Sequence, residues 1–505
     1  MRNKNLIIEG TVVVGIDYEE RDSVFEVSIP KGITEIGEDA FWCCESLQIV
    51  KIPTTVTKIG NGAFRNCTSL QMVKIPKSVT NIGESAFEDC TSLEMVELAK
   101  GLTHIDERAF SNCSSLQTII LPNTLTTIGK WAFDGCNSLT NIDIPDSVTK
   151  IGDYAFGECN SMQSINVSNE NNFYKSIDGV LYDKEGKKII KVPVGKNIVE
   201  YNIPDSVTVI EESAFTECGS LKSINIPNGV TRIGDAAFMN CSSLECVIIP
   251  DGVTKIGQTA FAGCLELKDI TIPSSVTEIG GEAFSNTLWY ENQPTGLIVI
   301  NNILYKCKDK EIKTLDIPDN ITKICKFAFT HATSLECVNI PTSVTCINEA
   351  AFFRAISIQS INIPTSITSI ANSTFYGCNS LKSVNIPNSV TSIGEEAFYE
   401  CTSLMNIDIP SSVRSIGDNA FYGCASLTSI DIPSSVNSIG KEAFCGCSSL
   451  KNAYIHPNTV VSKDAFDFSP AIKKTGNHKN PEKKKNKIIF YVILAIIILL
   501  LLYFF

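Results

Sequence analysis

The feature that most constrains this sequence is a period. An Ala-Phe dipeptide, or a close variant, places Phe at 41, 64, 87, 110, 133 and 156, then at 215, 238, 261 and 284, then at 329, 352, 375, 398, 421, 444 and 466. Within each block the step is 23, except the last, which is 22. By length alone, 505 residues would divide into roughly three domains of about 150 residues each. Self-similarity overrides that expectation. One unit has too few apolar positions for a core of its own, whereas stacked units align like with like into continuous internal ladders.

The template S-V-T-x-I-G-x-x-A-F-x-x-C-x-S-L-x-x-I-x-I-P is clearest in "SVTKIGDYAFGECNSMQSINV", residues 147 to 167. In "SLTNIDIP" the alternation turns Leu139, Ile142 and Ile144 inward and Asn141 and Asp143 outward on a short strand. Pro145, with no N–H to donate, ends the strand. Val148 and Ile151 return to the core, and Gly152 is expected at a turn where positive φ is cheap. Ala155 and Phe156 are expected on a helical or 3₁₀ turn on the opposite side, with Phe as the spine.

The L-x-x-I-x-I-P strand, the I-G turn and the A-F-x-x-C segment resemble the BspA-like, or Treponema-type, leucine-rich repeats over about residues 24 to 466. The resemblance implies an α/β repeat solenoid: a horseshoe or arc of about 17 coils, one for each Phe step, with parallel strands on its concave face. It also implies display at a cell surface, with adhesion to a protein or glycan ligand such as a host or extracellular-matrix component.

Two interruptions break the array. "GVLYDKEGKKII", residues 179 to 190, parallels "NILYKCKDKEIK", residues 302 to 313, and each reads as a β-hairpin. The expected organisation is an N-terminal cap over 1–30, repeats over 31–166, 203–287 and 317–450, hairpin-type insertions over 167–202 and 288–316, and a C-terminal cap over 451–472. A Lys-rich linker, 473–487, and a transmembrane segment, 488–505, complete the chain. That last segment, "IIFYVILAIIILLLLYFF", is 18 residues without a charge and about 27 Å long as a helix, enough to span a bilayer between Ile488 and Phe505. A glycolipid-anchor signal beginning at "TGN", 475 to 477, is the alternative. The start of the chain lacks the apolar run of a signal peptide.

Charge excludes one class of partner. Net charge is −13, but seven Lys and one Glu sit in 473–487, so residues 1–472 carry 35 basic and 54 acidic side chains. An acidic array repels phosphate backbones, and nucleic acid is not expected as a partner.

Catalytic and metal motifs are missing: His104, His331, His456 and His478 lie far apart, and no nucleophile, phosphate-loop or zinc pattern occurs. No enzyme activity and no cofactor is expected. Of 20 Cys, 13 fall three residues after the repeat Phe, among them Cys67, Cys113 and Cys447. Thr287, Ala332 and Ala355 take that place elsewhere, which suggests a small buried thiol, kept reduced. Cys445, next to the position that is Glu158 or Gly423 in other coils, is expected to be exposed.

The outward positions of the concave strands are the candidate ligand-binding residues. In the first four coils they are Ile49 and Lys51, Met72 and Lys74, Met95 and Glu97, Thr118 and Ile120. Exposed Ile and Met in register mark a protein contact. The competing expectation is a tail-anchored cytosolic scaffold, because Lys-rich flanks prefer the cytosol and buried reduced thiols suit a reducing compartment.

Overall fold

The computed structural model describes residues 6–17, 21 and 23–469. It is a β-solenoid of about 19 turns. Each regular coil contributes a longer strand, such as Asn141–Ile144, a two-residue strand, such as Lys150–Ile151, and a stretch of tight turns that carries Phe. Strands stack in parallel and in register with their counterparts one period away, as Asn141 with Ser164 and Lys58 with Asn81. Leu139, Ile142, Ile144 and Val148 are fully buried, Asn141 and Asp143 are exposed, and Ile151 is partly buried, as the alternation requires.

The third side is not helical, and this corrects the α/β expectation. Among the described residues the α-helix is the single turn Leu288–Glu291. The cause is left-handed backbone beside each Phe, in all but the Phe329 and Phe466 coils as a pair at two positions before and two after, such as Asp39 and Cys43, Ser85 and Asp89, or Glu396 and Glu400. A right-handed helix cannot pass through them. Instead the N–H groups of Asp39, Phe41 and Cys43 donate to the carbonyls of Asn61, Ala63 and Arg65 in the next coil, at 2.8 to 2.9 Å. The turns therefore form a third ladder. Inside it the Phe rings stack 4.6 to 6.0 Å apart and nearly parallel, from Phe41 to Phe156, Phe215 to Phe284 and Phe329 to Phe466.

Gly152 plays a different part from the one expected. It does not lie among the positive-φ residues. A Cβ placed on it would stand 2.4 Å from the Lys130 nitrogen of the preceding coil. The glycine is needed for close approach of two backbones. Glu211 and Cys325 occupy the same place in the coils that follow the two interruptions, and Asp106, Asn348 and Ala371 occupy it within the blocks, so the close approach is specific to the coils that carry glycine.

The first interruption is a three-strand meander, Tyr174–Ile177, Val180–Asp183 and Lys188–Lys191, and it includes the expected hairpin. In the second the hairpin lies earlier than expected, pairing Leu297–Ile300 with Ile303–Cys307 around Asn301 and Asn302. Residues 308 to 313 return no strand to it. At each joint one asparagine closes the last turn of the preceding block. Asn171 donates to the Pro145 and Val148 carbonyls at 2.8 and 2.9 Å, and Asn301 to those of Pro273 and Val276 at 3.1 and 3.0 Å. Tyrosine hydroxyls accept backbone N–H groups left over there, Tyr174 from Ile151 and Tyr305 from Phe284. The hydrophobic interior divides at the first joint, with Leu181 in the core that begins at Val13, and Val180 and Tyr182 in the core that runs to Ala465.

The membrane segment bounded by Ile488 and Phe505 lies outside the described residues. Among the described residues no helix is long and apolar enough to cross a membrane.

Candidate binding face

A surface suited to recognition must present side chains that the fold itself does not consume. The turn face is mostly consumed. Its ladder thiols are buried, and their role goes beyond being small: Cys67 Sγ donates to the Phe41 carbonyl of the preceding coil at 3.1 Å, and Cys113 Sγ to that of Phe87 at 3.2 Å. Burial pushes these thiols up, Cys159 and Cys378 to about 12, which keeps them protonated as donors and inert as nucleophiles. Cys445, expected to be exposed, is buried at 1%. The exposed thiols are Cys246 and Cys337, both on longer strands. Among the described residues no three His, Cys, Asp or Glu side chains gather as a metal site.

Two clefts open beside the joints, of about 440 and 390 Å³. Their charges neutralise one another. Beside the first joint Glu211 bridges Lys188 and Arg232 at 3.1 and 2.6 Å, and beside the second Lys326 pairs with Glu349 at 2.9 Å.

The longer strands present the least committed surface. Five of them lie side by side at the N-terminal end: Glu26–Ser28, Ile49–Lys51, Met72–Ile75, Met95–Leu98 and Thr118–Ile119. Ile49 stands opposite Met72, Met72 opposite Met95, and Met95 opposite Thr118. The structure thus brings the first of each predicted pair into one column, with Ile49, Met72 and Met95 about half exposed at 47, 53 and 48%. The second column is polar until its last member. Lys51 pairs with Glu26, Lys74 with Glu97 at 2.6 Å, and Ile120 is 83% exposed. These ion pairs are open to solvent and hold little energy.

Phe25, 60% exposed, and Ile248, 71% exposed, are further apolar side chains that the sequence reading passed over. Ile248 had a legible signal, since it holds the same outward strand position as Ile120. Phe25 had none, because it precedes the first strand that fits the template.

A family model described as BspA type leucine rich repeat region matches residues 18–116, 91–179, 194–296, 298–389 and 368–491. Among solved structures, the chain is similar to a leucine rich cell surface protein from Faecalibacterium prausnitzii A2-165, at 28% identity over 67% of this chain and 93% of that one, with a TM-score of 0.48. It is also similar to leucine-rich repeat proteins from Eubacterium ventriosum (21% identity, 94% of this chain and 91% of that one, TM-score 0.42) and Bacteroides ovatus (25% identity, 95% and 97%, TM-score 0.31). No curated protein sequence matches the chain.

Proposed function

Because the chain belongs to the BspA-type leucine-rich repeat family, whose scaffold is non-enzymatic and suited to protein binding, we propose that it is a surface-displayed adhesin that binds a protein or glycan ligand through its longer-strand face. One observation carries the choice of face: Ile49, Met72 and Met95 stand half-exposed in one in-register column, with no interior to fill. Parallel strands hold these side chains about 4.8 Å apart, so a ligand meets a rigid backbone and pliable thioethers. In this reading Lys51, Lys74, Glu97, Thr118 and Ile120 form the border of the contact, and the apolar segment ending at Ile488 and Phe505 holds the array to a bilayer.

The test is a chain carrying Ile49→Asp, Met72→Asp and Met95→Asp together. These side chains point away from the core, so circular dichroism should stay unchanged while attachment to a ligand-bearing surface falls at least tenfold. Full attachment by the folded variant would remove this face from consideration.

A second reading, a scaffold facing the cytosol, draws support from the cysteines, since all 20 are free. Protease treatment of intact cells separates the two. Digestion of the repeats supports display outside, and complete protection supports the scaffold.

A further inference from the structure

The pairs around Glu211 account for the mouth of the first cleft, where Lys188 and Arg232 are exposed, but not for its floor. There Lys191, buried at 7%, uses one of its three donors on the Ser213 carbonyl at 3.3 Å. Among the described residues no carboxylate stands within ion-pair distance of Lys191, and Asp134 and Glu217 sense its charge from farther off. Ser213, 3% exposed, has no hydrogen-bond partner for its Oγ, and the partly buried Tyr154 hydroxyl is a polar neighbour of Ser213 and Glu212. A buried ammonium short of an anion and a buried hydroxyl short of a partner are both costly unless something from outside completes them.

The second joint shows what kind of group belongs there. Lys191 and Lys306 hold the same place in the two joints, each preceding a residue whose N–H donates to the carbonyl of the Ala before the next repeat Phe, Val192 to Ala214 and Cys307 to Ala328. Lys306, buried at 2%, meets a carboxylate of its own chain, that of Glu282, two residues before Phe284. Two residues before Phe156 the first joint has Tyr154, whose phenol burial pushes up to about 12, so it supplies no anion. Tyr154 instead borders the cleft of about 440 Å³ that Lys191 and Ser213 also line. The remaining lining is acidic: among the described residues Asp153, Glu212 and Asp235 form no ion pair, while Lys255 turns to Glu278 at 3.4 Å. Such a rim repels a bare anion and draws in one that also carries an ammonium group.

We propose that the first-joint cleft binds a small zwitterion, a carboxylate and an ammonium on one molecule as in a free amino acid. Lys191 Nζ, Ser213 Oγ and the Tyr154 hydroxyl donate to its carboxylate, and Asp153, Glu212 and Asp235 accept from its ammonium. The ligand carboxylate does for Lys191 what Glu282 does for Lys306. The volume suits a molecule of this size, and the buried floor is out of reach of a folded partner. The site shares no residue with the longer-strand face and is independent of the adhesin reading.

Thermal unfolding of the full chain in neutral detergent tests this, with each common amino acid, and each ω-amino acid from β-alanine to 6-aminohexanoate, added separately at about 10 mM. At least one compound should raise the unfolding midpoint, because it binds only the folded form. Calorimetric titration with that compound should show affinity falling at least tenfold when its carboxylate is amidated, at least tenfold when its amine is removed, and beyond detection in Lys191→Met. Ser213→Ala, a milder change, should keep the fold and weaken binding at least threefold. Tyr154→Glu gives the first joint the carboxylate that the second already has, so this variant should unfold at a higher temperature than the natural chain without ligand and no longer bind the compound. A midpoint unmoved by every compound would overturn the proposal. So would binding that survives amidation, removal of the amine or Lys191→Met, or a Tyr154→Glu chain that binds as before.

Discussion

At the scale of single residues, the coils are held together by side chains whose spacing from the preceding coil decides their identity. Cys113 fills a small space and gives its S–H to the Phe87 carbonyl. Cys113→Ala should therefore cost about 1 to 2 kcal/mol in chemical denaturation, a weak hydrogen bond plus a small void. A maleimide should label Cys246 and Cys337 in the native protein long before Cys445 or Cys447, as peptide mapping would read. Asp134 offers a pH test. Burial, then the nearby Glu158 and Glu217 against Lys191, push its carboxyl up to about 6. Since the folded pKa exceeds the unfolded one, the fold favours the protonated form, and this contribution is complete below about pH 4 and lost as pH rises through 6. Asp134→Asn should raise stability by about 1 kcal/mol at pH 7, allowing for partial exposure, with no gain at pH 4. The inward positions were legible in the sequence because strand alternation leaves no other arrangement. Gly152 was misread because its demand comes from Lys130, in the preceding coil, and a local turn rule cannot see that contact.

At the scale of elements, the joints are the points where the ladder must be closed and restarted. Tyr305, fully buried, accepts the N–H that Phe284 would otherwise donate to a following regular coil. Tyr305→Phe keeps the volume and strands that N–H, at a cost of about 1 to 3 kcal/mol. Hydrogen exchange should show the loss as faster exchange over residues 276 to 307, with coils beyond Phe352 unchanged. The hairpins were partly legible: the apolar-Leu-Tyr runs announced strands, and Asp178 and Gly179, both at positive φ, suit a tight turn. What the chain order hid was which neighbour each strand would choose. The helical reading of the turn face failed for a related reason: left-handed backbone at residues as varied as Arg108, Trp131 and Glu396 is imposed by stacking, and no residue preference records it.

At the scale of the molecule, each coil touches only its neighbours, so stability is close to a sum of nearest-neighbour terms. The divided interior gives that sum a seam at Val180 to Tyr182. Calorimetry should resolve two transitions, and exchange should divide the chain into segments on either side of residue 180. A single transition with uniform exchange would mean that the first joint transmits cooperativity in full. The candidate face was legible at this scale too, because outward positions in register follow from the period.

The unbroken Phe columns within each block carry a consequence for heredity. A coil in mid-block stands between two near copies of itself, so unequal recombination that adds or removes one whole unit joins old neighbours to equivalent new ones and preserves the reading frame. Lineages can lengthen or shorten the longer-strand face in whole coils. The joints, which have no equivalent coil beside them, act as landmarks that divide the gene into separately adjustable parts.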